Sequence, residues 1–345
     1  VPKLRFKKFN NEYKKYKIGD TLKVKSGKDQ KLIECPNGKY PILGTGGQIG
    51  TTNNFLYDKP SVLIGRKGTI NKPQYMTTPF WTVDTLFYTD IKEGFNTKYI
   101  FYAFQNINWK KYDESTGVPS LSCKTIEEIL YYIPNKDEQD KISTFITLLD
   151  KKIELQQRRI EALKIYKRGL IKKIFGDIKD NDSIRLKDLY HFAYGEGNTN
   201  PDNGGIYPVY GANGKIGGFN KYNAEYSVII GHMGAYAGNV LFEENKHFVT
   251  YNGTIAIPKN IKILRPKFGY YMLLNANLPR ICAGSGMPFL SYEILNNIKV
   301  KLPNIKAQEK CEKVLEKTEA KIKLEKRKFK NLSQLKKSLL QQMFI

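Results

Sequence analysis

A nuclease-type metal site is the first chemistry that the residue types suggest. Asp202 follows Pro201, and Glu244 stands two residues before Lys246, so that two carboxylates could hold Mg²⁺ beside a lysine. However, Asp202 lies in Asn-Pro-Asp-Asn-Gly-Gly, which is typical of a turn, and Glu-x-Lys arises readily in a lysine-rich chain. The first half of the chain has no equivalent. We therefore predict no catalytic carboxylate pair.

Methyl transfer and ATP hydrolysis also lack their motifs. Methyltransferases that act on a flipped adenine or cytosine use an (Asp/Asn/Ser)-Pro-Pro-aromatic motif, and no two prolines are adjacent in this chain. A P-loop needs Gly-Lys-(Ser/Thr), but Gly214-Lys215 is followed by Ile216, and Val209 stands where the first glycine belongs. The sequence therefore predicts a chain without catalytic residues for either reaction.

Cysteine and histidine spacing indicates no metal site. The cysteines lie too far apart for a CxxC or Cys/His zinc motif, so we interpret them as reduced thiols. All histidines lie in the second half of the chain, so no feature shared by both halves can depend on them. The residues concerned are Cys35, Cys123, Cys282, Cys311, His191, His232 and His247.

Loops rich in glycine, asparagine and threonine hold the side chains best suited to bind a ligand. Asparagine and glutamine can pair with adenine edges and arginine or lysine with guanine, lysine also contacts phosphates, and glycine lets backbone approach a duplex. Each such residue could equally lie in a tight turn with a solvated side chain. The candidate DNA-binding residues are Gln48, Asn53, Asn54, Arg66, Lys67, Asn213, Lys215, Asn220, Lys221 and His232.

The charge of the chain favours a polyanionic partner. Lysine and arginine number 57 against 33 aspartates and glutamates, a formal net charge of +24 that is spread along the whole sequence. Nucleic acid fits best, because each phosphate contact releases condensed counterions. The alternative is lysine usage in an AT-rich genome without a functional meaning.

Composition and hydropathy predict an ordered protein of the cytoplasm. Apolar residues make up 41% of the chain at a mean hydropathy of −0.48, as in folded proteins. The N-terminal residues are basic without the apolar segment of a signal peptide, and apolar runs such as Val62 to Ile64 are too short to span a bilayer.

The two halves of the chain are copies of one unit, each with three motifs. The first motif, Tyr-Pro-x-x-Gly-x-x-Gly-x-Ile-Gly, occurs at 40–50 and 207–217, and the second, Ser-Val-x-Ile-Gly, at 61–65 and 227–231. The third, (Ser/Thr)-Gly-x-Pro-x-Leu-Ser, occurs at 116–122 and 285–291, and from there the copies stay 169 residues apart, as in Phe175 and Phe344. Ordered matches that end in a constant register indicate duplication.

Each copy changes character at a proline. Before Pro134 and Pro303, short β-branched and aromatic runs alternate with glycine, proline and asparagine, which predicts a β-rich domain with a few helices. After each proline, apolar residues recur with the 3-4 spacing of a coiled coil. We therefore predict domains at 1–135 and 177–303, and helices at 136–176 and 304–345.

A helix from Asp137 to Phe175 would be about 58 Å long, which is more than a domain of this size needs. Such a helix requires a partner, and its own copy is the nearest one available. We predict an α+β fold of two β-rich domains related by a pseudo-twofold repeat, separated by two long helices paired as an antiparallel coiled coil. A helix that packs only on its own domain would leave the heptad period unexplained. Apolar helix residues left for a protein partner are Ile153, Ile160, Leu163, Leu170, Ile322, Leu332 and Leu339.

The two copies share their motifs but differ in the loop residues that follow them. Arg66-Lys67 faces His232-Met233, and Thr51-Thr52-Asn53 faces Gly218-Phe219-Asn220. Two similar domains with different loops would bind two different DNA sequences. The paired helices would set the length of a gap of unrecognised base pairs between these two half-sites.

Over essentially its whole length the chain resembles the specificity subunits of type I restriction-modification enzymes. The resemblance is carried by the three motifs and by Leu-x-x-x-(Ile/Met)-Phe at 170–175 and 339–344. It implies two target-recognition domains, each followed by a spacer helix that helps to dock two modification (methyltransferase) subunits, with restriction (motor-nuclease) subunits joining them on double-stranded DNA. S-adenosylmethionine, ATP and Mg²⁺ would then belong to the partners. The chain departs from a regular coiled coil at Gln156 and Glu325, polar residues that leave the register of the pairing open.

Two alternatives remain open from the sequence. One is the recognition subunit of a type IIB-like restriction enzyme, where cleavage and methylation share one partner chain. The other is a nucleic-acid-binding coiled-coil scaffold without sequence preference, which predicts equal affinity for unrelated duplexes.

Overall fold

Helices and strands occur in both halves of the chain in a computed structural model, which describes residues 2–178, 183–197, 199–284 and 286–344. This mixture confirms the predicted α+β class. The chain divides into a first unit, 1–157 with 327–345, and a second unit, 158–326. The domain boundaries at 135, 176 and 303 follow changes of residue period rather than packing, and they stay a prediction.

The two units are built from corresponding elements. The first unit holds β1 (Lys14–Lys17), α1 (Ile18–Thr21), β2 (Leu22–Lys25), β3 (Tyr40–Gly44), β4 (Gly47–Thr52), β5 (Ser61–Gly65), β6 (Gln74–Met76), β7 (Trp81–Thr82), β8 (Leu86–Ile91), α2 (Thr97–Asn106), α3 (Cys123–Glu128) and β9 (Leu130–Ile133). The long helix α4 (Lys136–Gly176) begins in the first unit and ends in the second. The second unit holds β10 (Ser183–Arg185), α5 (Leu186–Leu189), β11 (Tyr190–Tyr194), β12 (Tyr207–Gly211), β13 (Gly214–Phe219), β14 (Ser227–Gly231), β15 (Val240–Glu243), β16 (Phe248–Val249), β17 (Gly253–Pro258), α6 (Pro266–Asn275), α7 (Tyr292–Asn297) and β18 (Lys299–Lys301). The last helix is α8 (Ile305–Met343).

Strand order is the same in both units. The first has a four-stranded sheet in the order β2-β8-β5-β6, a three-stranded sheet β4-β3-β7 and a separate pair β1-β9. The second repeats this arrangement as β11-β17-β14-β15, β13-β12-β16 and β10-β18. In each three-stranded sheet the hairpin is antiparallel and the short third strand is parallel. The duplication seen in the sequence is thus a duplication of structure.

The second motif forms the buried strand of each four-stranded sheet. All five residues of Ser61–Gly65 and all five of Ser227–Gly231 are buried, as expected for an apolar run covered on both faces. Polar side chains on these strands need partners, and the Ser61 hydroxyl donates to the Thr89 carbonyl at 2.7 Å. The strand therefore places its last glycine, and the loop after it, at a defined edge of the sheet.

Short helices are capped by residues of the predicted motifs. Ser122 ends the third motif in the first unit, and its hydroxyl accepts the Thr125 amide at 3.1 Å at the start of α3. Ser291 does the same for α7. Serine is a favoured N-cap because it satisfies an amide that has no partner in the helix. The final serine of the third motif thus has a structural role.

Helices α4 and α8 lie antiparallel along each other, which confirms the predicted pairing. Asp150 pairs with Lys336 at 2.7 Å, Arg159 with Glu325 at 3.7 Å, and Lys167 with Glu319 at 2.5 Å. Positions that ascend along α4 therefore meet positions that descend along α8. These ion pairs set the register that the sequence left open at Glu325, whose side chain is buried.

The same side-chain triad ties each β-rich part to the helices. In the first unit, the Tyr102 hydroxyl donates to Asp150 at 2.8 Å, and that carboxylate also pairs with Lys336. In the second, the Tyr271 hydroxyl donates to Glu319 at 2.9 Å, and Glu319 pairs with Lys167.

A repeated glutamine joins the start of each long helix to the domain before it. The Gln139 amide donates to the Pro134 carbonyl and accepts the Asn96 amide, at 3.0 and 2.9 Å. Gln308 makes the equivalent bonds to Pro303 and Arg265. Both glutamines are buried.

His247 makes the stability of the second unit sensitive to acid. Burial lowers the pKa of its imidazole below the ordinary value, against weaker opposing effects that include Glu243 and Glu225. Its Nε2 lies 3.1 Å from the Ser227 hydroxyl and its Nδ1 lies 2.7 Å from the Asn245 carbonyl oxygen. The folded state therefore binds fewer protons than the unfolded state, so stability is present above pH 6.5 and is lost as the pH falls below it.

We expect the second unit to lose up to about 1.4 kcal/mol per pH unit below pH 6.5 because of His247. Hydrogen exchange of residues 224–256 at several pH values measures this loss. His247→Phe provides the comparison, because the equivalent position of the first unit holds the buried Phe80. An equal acid sensitivity in the variant would show that another group is responsible.

Among the described residues, no helix combines the length and the apolar character needed to cross a bilayer.

Candidate nucleic-acid interface

The second and third motifs meet in each unit through backbone hydrogen bonds. The Gly68 amide donates to the Pro119 carbonyl at 2.8 Å, and the Leu121 amide donates to the Arg66 carbonyl at 2.9 Å. In the second unit the same pair of bonds joins 234 to 288 and 290 to 232, both at 2.8 Å. Ser285, the first residue of the third motif in the second unit, lies outside the described residues. Loops that are far apart in sequence thus form one surface.

The glycine that ends the second motif is required by a close approach of backbone. A Cβ on Gly65 would lie 2.2 Å from the Thr69 carbonyl oxygen, and one on Gly231 would lie 2.1 Å from that of Tyr236. Real Cβ atoms do not approach other atoms so closely, so only glycine lets the following loop fold back here. This loop carries Arg66 in one unit and His232 in the other.

The tight turn of the first motif lies next to this loop. The Gln74 amide donates to the Gly44 carbonyl at 2.8 Å, and the Asn239 amide donates to the Ala212 carbonyl at 2.9 Å. In the first unit a Cβ on Gly68 would lie 4.0 Å from the Thr45 hydroxyl. Each unit therefore gathers all three motifs at one edge, which we call the motif edge.

The predicted DNA-binding residues fall into two places. Near the motif edge lie Gln48, Arg66, Lys67, Asn213, Lys215 and His232, because they belong to the turn of the first motif or to the loop after the second. All are exposed except His232, which is half-buried. At the other end of the hairpins lie Asn53, Asn54, Asn220 and Lys221.

The structure does not bring these two groups together. Strand β4 has six residues, so the turn and Asn53 are about 20 Å apart at the rise of a strand. The Asn53 side chain also accepts the Lys39 amide at 3.2 Å, and the Asn54 amide donates to the Thr52 hydroxyl at 3.1 Å. These contacts shape the hairpin end. A DNA-binding role for Asn53 and Asn54 stays a prediction.

An open polar cleft of about 560 Å³ lies at the motif edge of the first unit. Its lining includes Arg66, Ser26 and Cys123 together with the carboxylates Asp84 and Glu114. The Arg66 guanidinium donates to the Asp84 carbonyl at 3.3 Å. Hydrogen bonds from the Thr125 and Ser122 hydroxyls lower the pKa of Glu114, so its carboxylate is charged at neutral pH.

In the second unit an aromatic stack occupies equivalent positions. The Tyr194 and Tyr292 rings are stacked with centroids 3.9 Å apart, and Tyr194 lies 4.3 Å from the His232 ring. Tyr292 and His232 follow from the same alignment as the motifs, at the positions of Cys123 and Arg66. The two motif edges thus have one backbone frame and different side-chain chemistry, an arginine-lined cleft in the first unit and an aromatic stack in the second.

Exposed apolar residues at the motif edge escaped the sequence analysis. Val118 and Met287 occupy the variable position before proline in the third motif, and they are 56% and 64% exposed. Ile49 and Ile216 are the second-last residues of the first motif and are also exposed. Apolar side chains of this kind can contact thymine methyl groups. The available signal was an apolar residue in a turn, where polar residues are usual.

The acidic pair considered for a metal site is engaged elsewhere. The Asp202 carboxylate accepts the Gly218 amide at 3.2 Å, and Glu244 pairs with Lys267 at 2.5 Å. Within the part of the chain that the structure describes, no three His, Cys, Asp or Glu side chains are grouped to hold a metal ion.

The helix residues predicted to contact a protein partner lie at the helix pair. Ile160, Ile322 and Leu339 are at most 9% exposed, whereas Ile153, Leu163, Leu170 and Leu332 are half-buried. Leu339 packs in the core of the first unit, whereas Ile322 lines an open groove of the second unit. Apolar side chains that are exposed on the same helices include Leu148, Leu155, Ile165, Val314, Leu324 and Leu335.

Comparison with known proteins gives one consistent family. The sequence model of the family described as "Type I restriction modification DNA specificity domain" matches residues 10–164 and again residues 178–334. S.MpnORF365P of Mycoplasma pneumoniae, whose name describes a type I specificity subunit, is 26% identical over 220 residues, or 60% of this chain and 81% of that protein. The MjaVIII specificity subunit of Methanocaldococcus jannaschii is 21% identical over 293 residues, or 70% of this chain and 68% of that protein.

The fold is also similar to a solved structure. The S subunit of a type I restriction-modification system from M. genitalium has a TM-score of 0.70 at 20% identity, covering 100% of this chain and 99% of that chain. The likeness spans both units and shows that the fold is shared.

Proposed function

The chain belongs to the family of type I restriction-modification DNA specificity proteins, and from that premise we propose that it recognises a bipartite DNA target. Each motif edge binds one half-site, and the paired helices set the length of an unread gap between them. The chain itself performs no catalysis.

One observation carries this proposal: the two motif edges share their backbone frame and differ in side chains. The hydrogen bonds between second and third motifs are repeated, while Arg66 in a polar cleft is replaced by His232 against Tyr194. An arginine can donate two hydrogen bonds to a guanine edge, whereas an aromatic surface selects by shape and apolar contact. Two unlike half-sites are expected, so the target is asymmetric.

The partners follow from the family. We propose that the chain assembles with two modification subunits, which restriction subunits join, on double-stranded DNA in the cytoplasm. S-adenosylmethionine, ATP and Mg²⁺ act in those partners, and this chain directs where they act. The net charge of +24 supports a large phosphate-contact contribution to DNA affinity.

The test is a genome-wide map of methylated adenines in cells that express this chain with its cognate modification subunit. We expect one split, asymmetric motif with a constant gap. Exchanging the first domain, from Tyr16 to Pro134, for that of a relative should change one half-site and leave the other and the gap unchanged. A change in both half-sites would contradict the modular recognition that we propose.

The same experiment separates the alternatives. In a type IIB-like enzyme one partner chain both methylates and cleaves DNA. A neighbouring gene that encodes such a chain would indicate this alternative. A stable complex without new methylation, together with equal affinity for unrelated duplexes, would favour a non-specific scaffold and overturn the proposal.

A further inference from the structure

A large basic groove lies in the second unit between α4, α8 and α6. Its volume is about 1030 Å³, and its apolar lining includes Ile171, Leu274 and Ile322. Seven cationic side chains surround this apolar floor, against two carboxylates. No residue of the three motifs lines this groove, so the motifs do not explain it.

Internal ion pairs account for only part of this charge. Lys167 pairs with Glu319 at 2.5 Å, and Lys164 pairs with Glu161 at 2.8 Å. Within the described ranges, no ion pair engages the other five cationic groups. These are Arg168, Lys172, Arg280, Lys323 and Lys326. Like charges gathered around an apolar surface repel one another, and an oppositely charged partner would remove that repulsion.

The first unit shows that the fold does not need this charge. It keeps the lysine–carboxylate pair as Lys336 and Asp150, at 2.7 Å. With the repeat offset of 169, however, Lys164 and Lys172 correspond to Ser333 and Gln341. Lys323 and Lys326 likewise correspond to Glu154 and Gln157. The equivalent surface thus has four cationic residues against two acidic ones, and the helices pair in both units.

We propose that the groove of the second unit binds an acidic amphipathic helix of a protein partner, by a charge-dependent contact that the first unit does not offer. A helix with an apolar stripe and acidic flanks matches an apolar floor between cationic walls. In helix-in-groove binding, the apolar stripe of the helix packs against the apolar floor of the groove. DNA would be bound through its phosphates, and phosphate contacts do not require an apolar floor. This inference rests on the proposed function in one respect, because a modification subunit is then the expected partner.

If both modification subunits present the same helix, they bind this chain unequally. The copy at the second unit gains affinity at low ionic strength and loses it as salt screens the contact, with a Debye length of about 8 Å at physiological ionic strength. The copy at the first unit responds less to salt.

The direct test uses the full chain and a synthetic helix as probe, so that it does not depend on the proposed function. The peptide has leucines at i, i+3, i+4 and i+7 and glutamates on its other face, and a control peptide has lysines there instead. The groove variant Lys323→Glu/Lys326→Gln installs the residues of the first unit. The matched variant Lys317→Glu/Lys321→Gln makes the same charge change at exposed positions of α8 that do not line the groove.

We expect the acidic peptide to bind, and the groove variant to weaken that binding about tenfold at low salt and much less at high salt. The matched variant should bind within about twofold of the original chain, and circular dichroism should show unchanged helix content in both, since Lys, Glu and Gln have similar helix propensities. Equal loss in both variants, or no binding of the peptide, overturns the inference. So does a groove variant that loses affinity for a non-target DNA duplex while binding the peptide normally, because the groove would then serve DNA.

Titration with the modification subunit, followed by native mass spectrometry, extends the test. In the groove variant, the modification subunit at the second unit should bind more weakly at low salt, whereas binding of the one at the first unit should not change. Unchanged binding of both copies, with a split methylation motif still present, would remove this inference and leave the proposed function standing. If the peptide binds in the groove but no split methylation motif is found, the proposed function would fall and this inference would stand.

Discussion

Replacing Glu312 by alanine is expected to destabilise the second unit by about 3 kcal/mol. The Glu312 side chain is 5% exposed, and its carboxylate accepts the Phe268 amide at 2.8 Å and Arg265 Nε at 2.6 Å. Helix α6 begins at Pro266, and no side chain of its own N-cap residue caps it. Glu312, which lies on α8, therefore supplies the acceptor for the start of α6.

The first unit explains why the effect should be large and local. There Asn96 caps α2 by accepting the Tyr99 amide at 2.8 Å, and the position equivalent to Glu312 is Ser143. Loss of Glu312 leaves a buried amide and a guanidinium without their acceptor, and no residue replaces it. Hydrogen exchange should show faster opening of 266–275, with 97–106 unchanged.

Glu309→Ala is the matched control for this variant. The Glu309 side chain is 47% exposed on the same helix and pairs with Lys313 at 2.7 Å, and solvent screening leaves such surface pairs little effect on stability. If Glu309→Ala and Glu312→Ala had equal effects on the second unit, the buried carboxylate would not be the connection between α8 and α6.

Replacing Gly65 by alanine is expected to destabilise the first unit by about 1–3 kcal/mol and to distort its motif edge. The added Cβ would meet the Thr69 carbonyl oxygen at 2.2 Å and the Ile70 Cα at 3.0 Å. Because these are backbone atoms, the strain can be relieved only by moving the loop that carries Arg66. Recognition by the first unit should fail while that by the second persists.

Gly46→Ala is the comparison for Gly65→Ala. Gly46 belongs to the first motif, yet a Cβ there would meet no atom within 4 Å, so a change below about 0.5 kcal/mol is expected. The measurements are hydrogen exchange of the first unit and methylation mapping of each half-site. Loss of both half-sites together in Gly65→Ala would indicate global unfolding rather than a local shift.

Local patterns predicted the repeat and the helices well. The 3-4 apolar spacing depends only on neighbouring residues in one helix, so the helices from Lys136 and from Ile305 could be recognised from the sequence. The partner choice was also predictable, because a long amphipathic helix needs an apolar surface. The register was not, since it depends on pairs such as Asp150 with Lys336 that are far apart in the chain.

The candidate binding residues were only partly predictable, for a related reason. Glycine- and asparagine-rich composition located the loops, but it did not separate Arg66, at the motif edge, from Asn53, whose side chain holds a hairpin end. It also did not point to Val118, because composition alone does not show that this valine is exposed.

The sequence by itself determined that the chain is a tandem repeat of a β-rich part and a long amphipathic helix, with a strongly basic character. Those properties are local or additive, so they can be read without knowing any contact. Only the tertiary structure decided that Arg66 lines a polar cleft with Ser26 and Cys123, while Tyr194 and Tyr292 form a stack. The reason is that strand pairing and loop-to-loop hydrogen bonds bring distant side chains together, and no local pattern in the chain encodes which of them will meet.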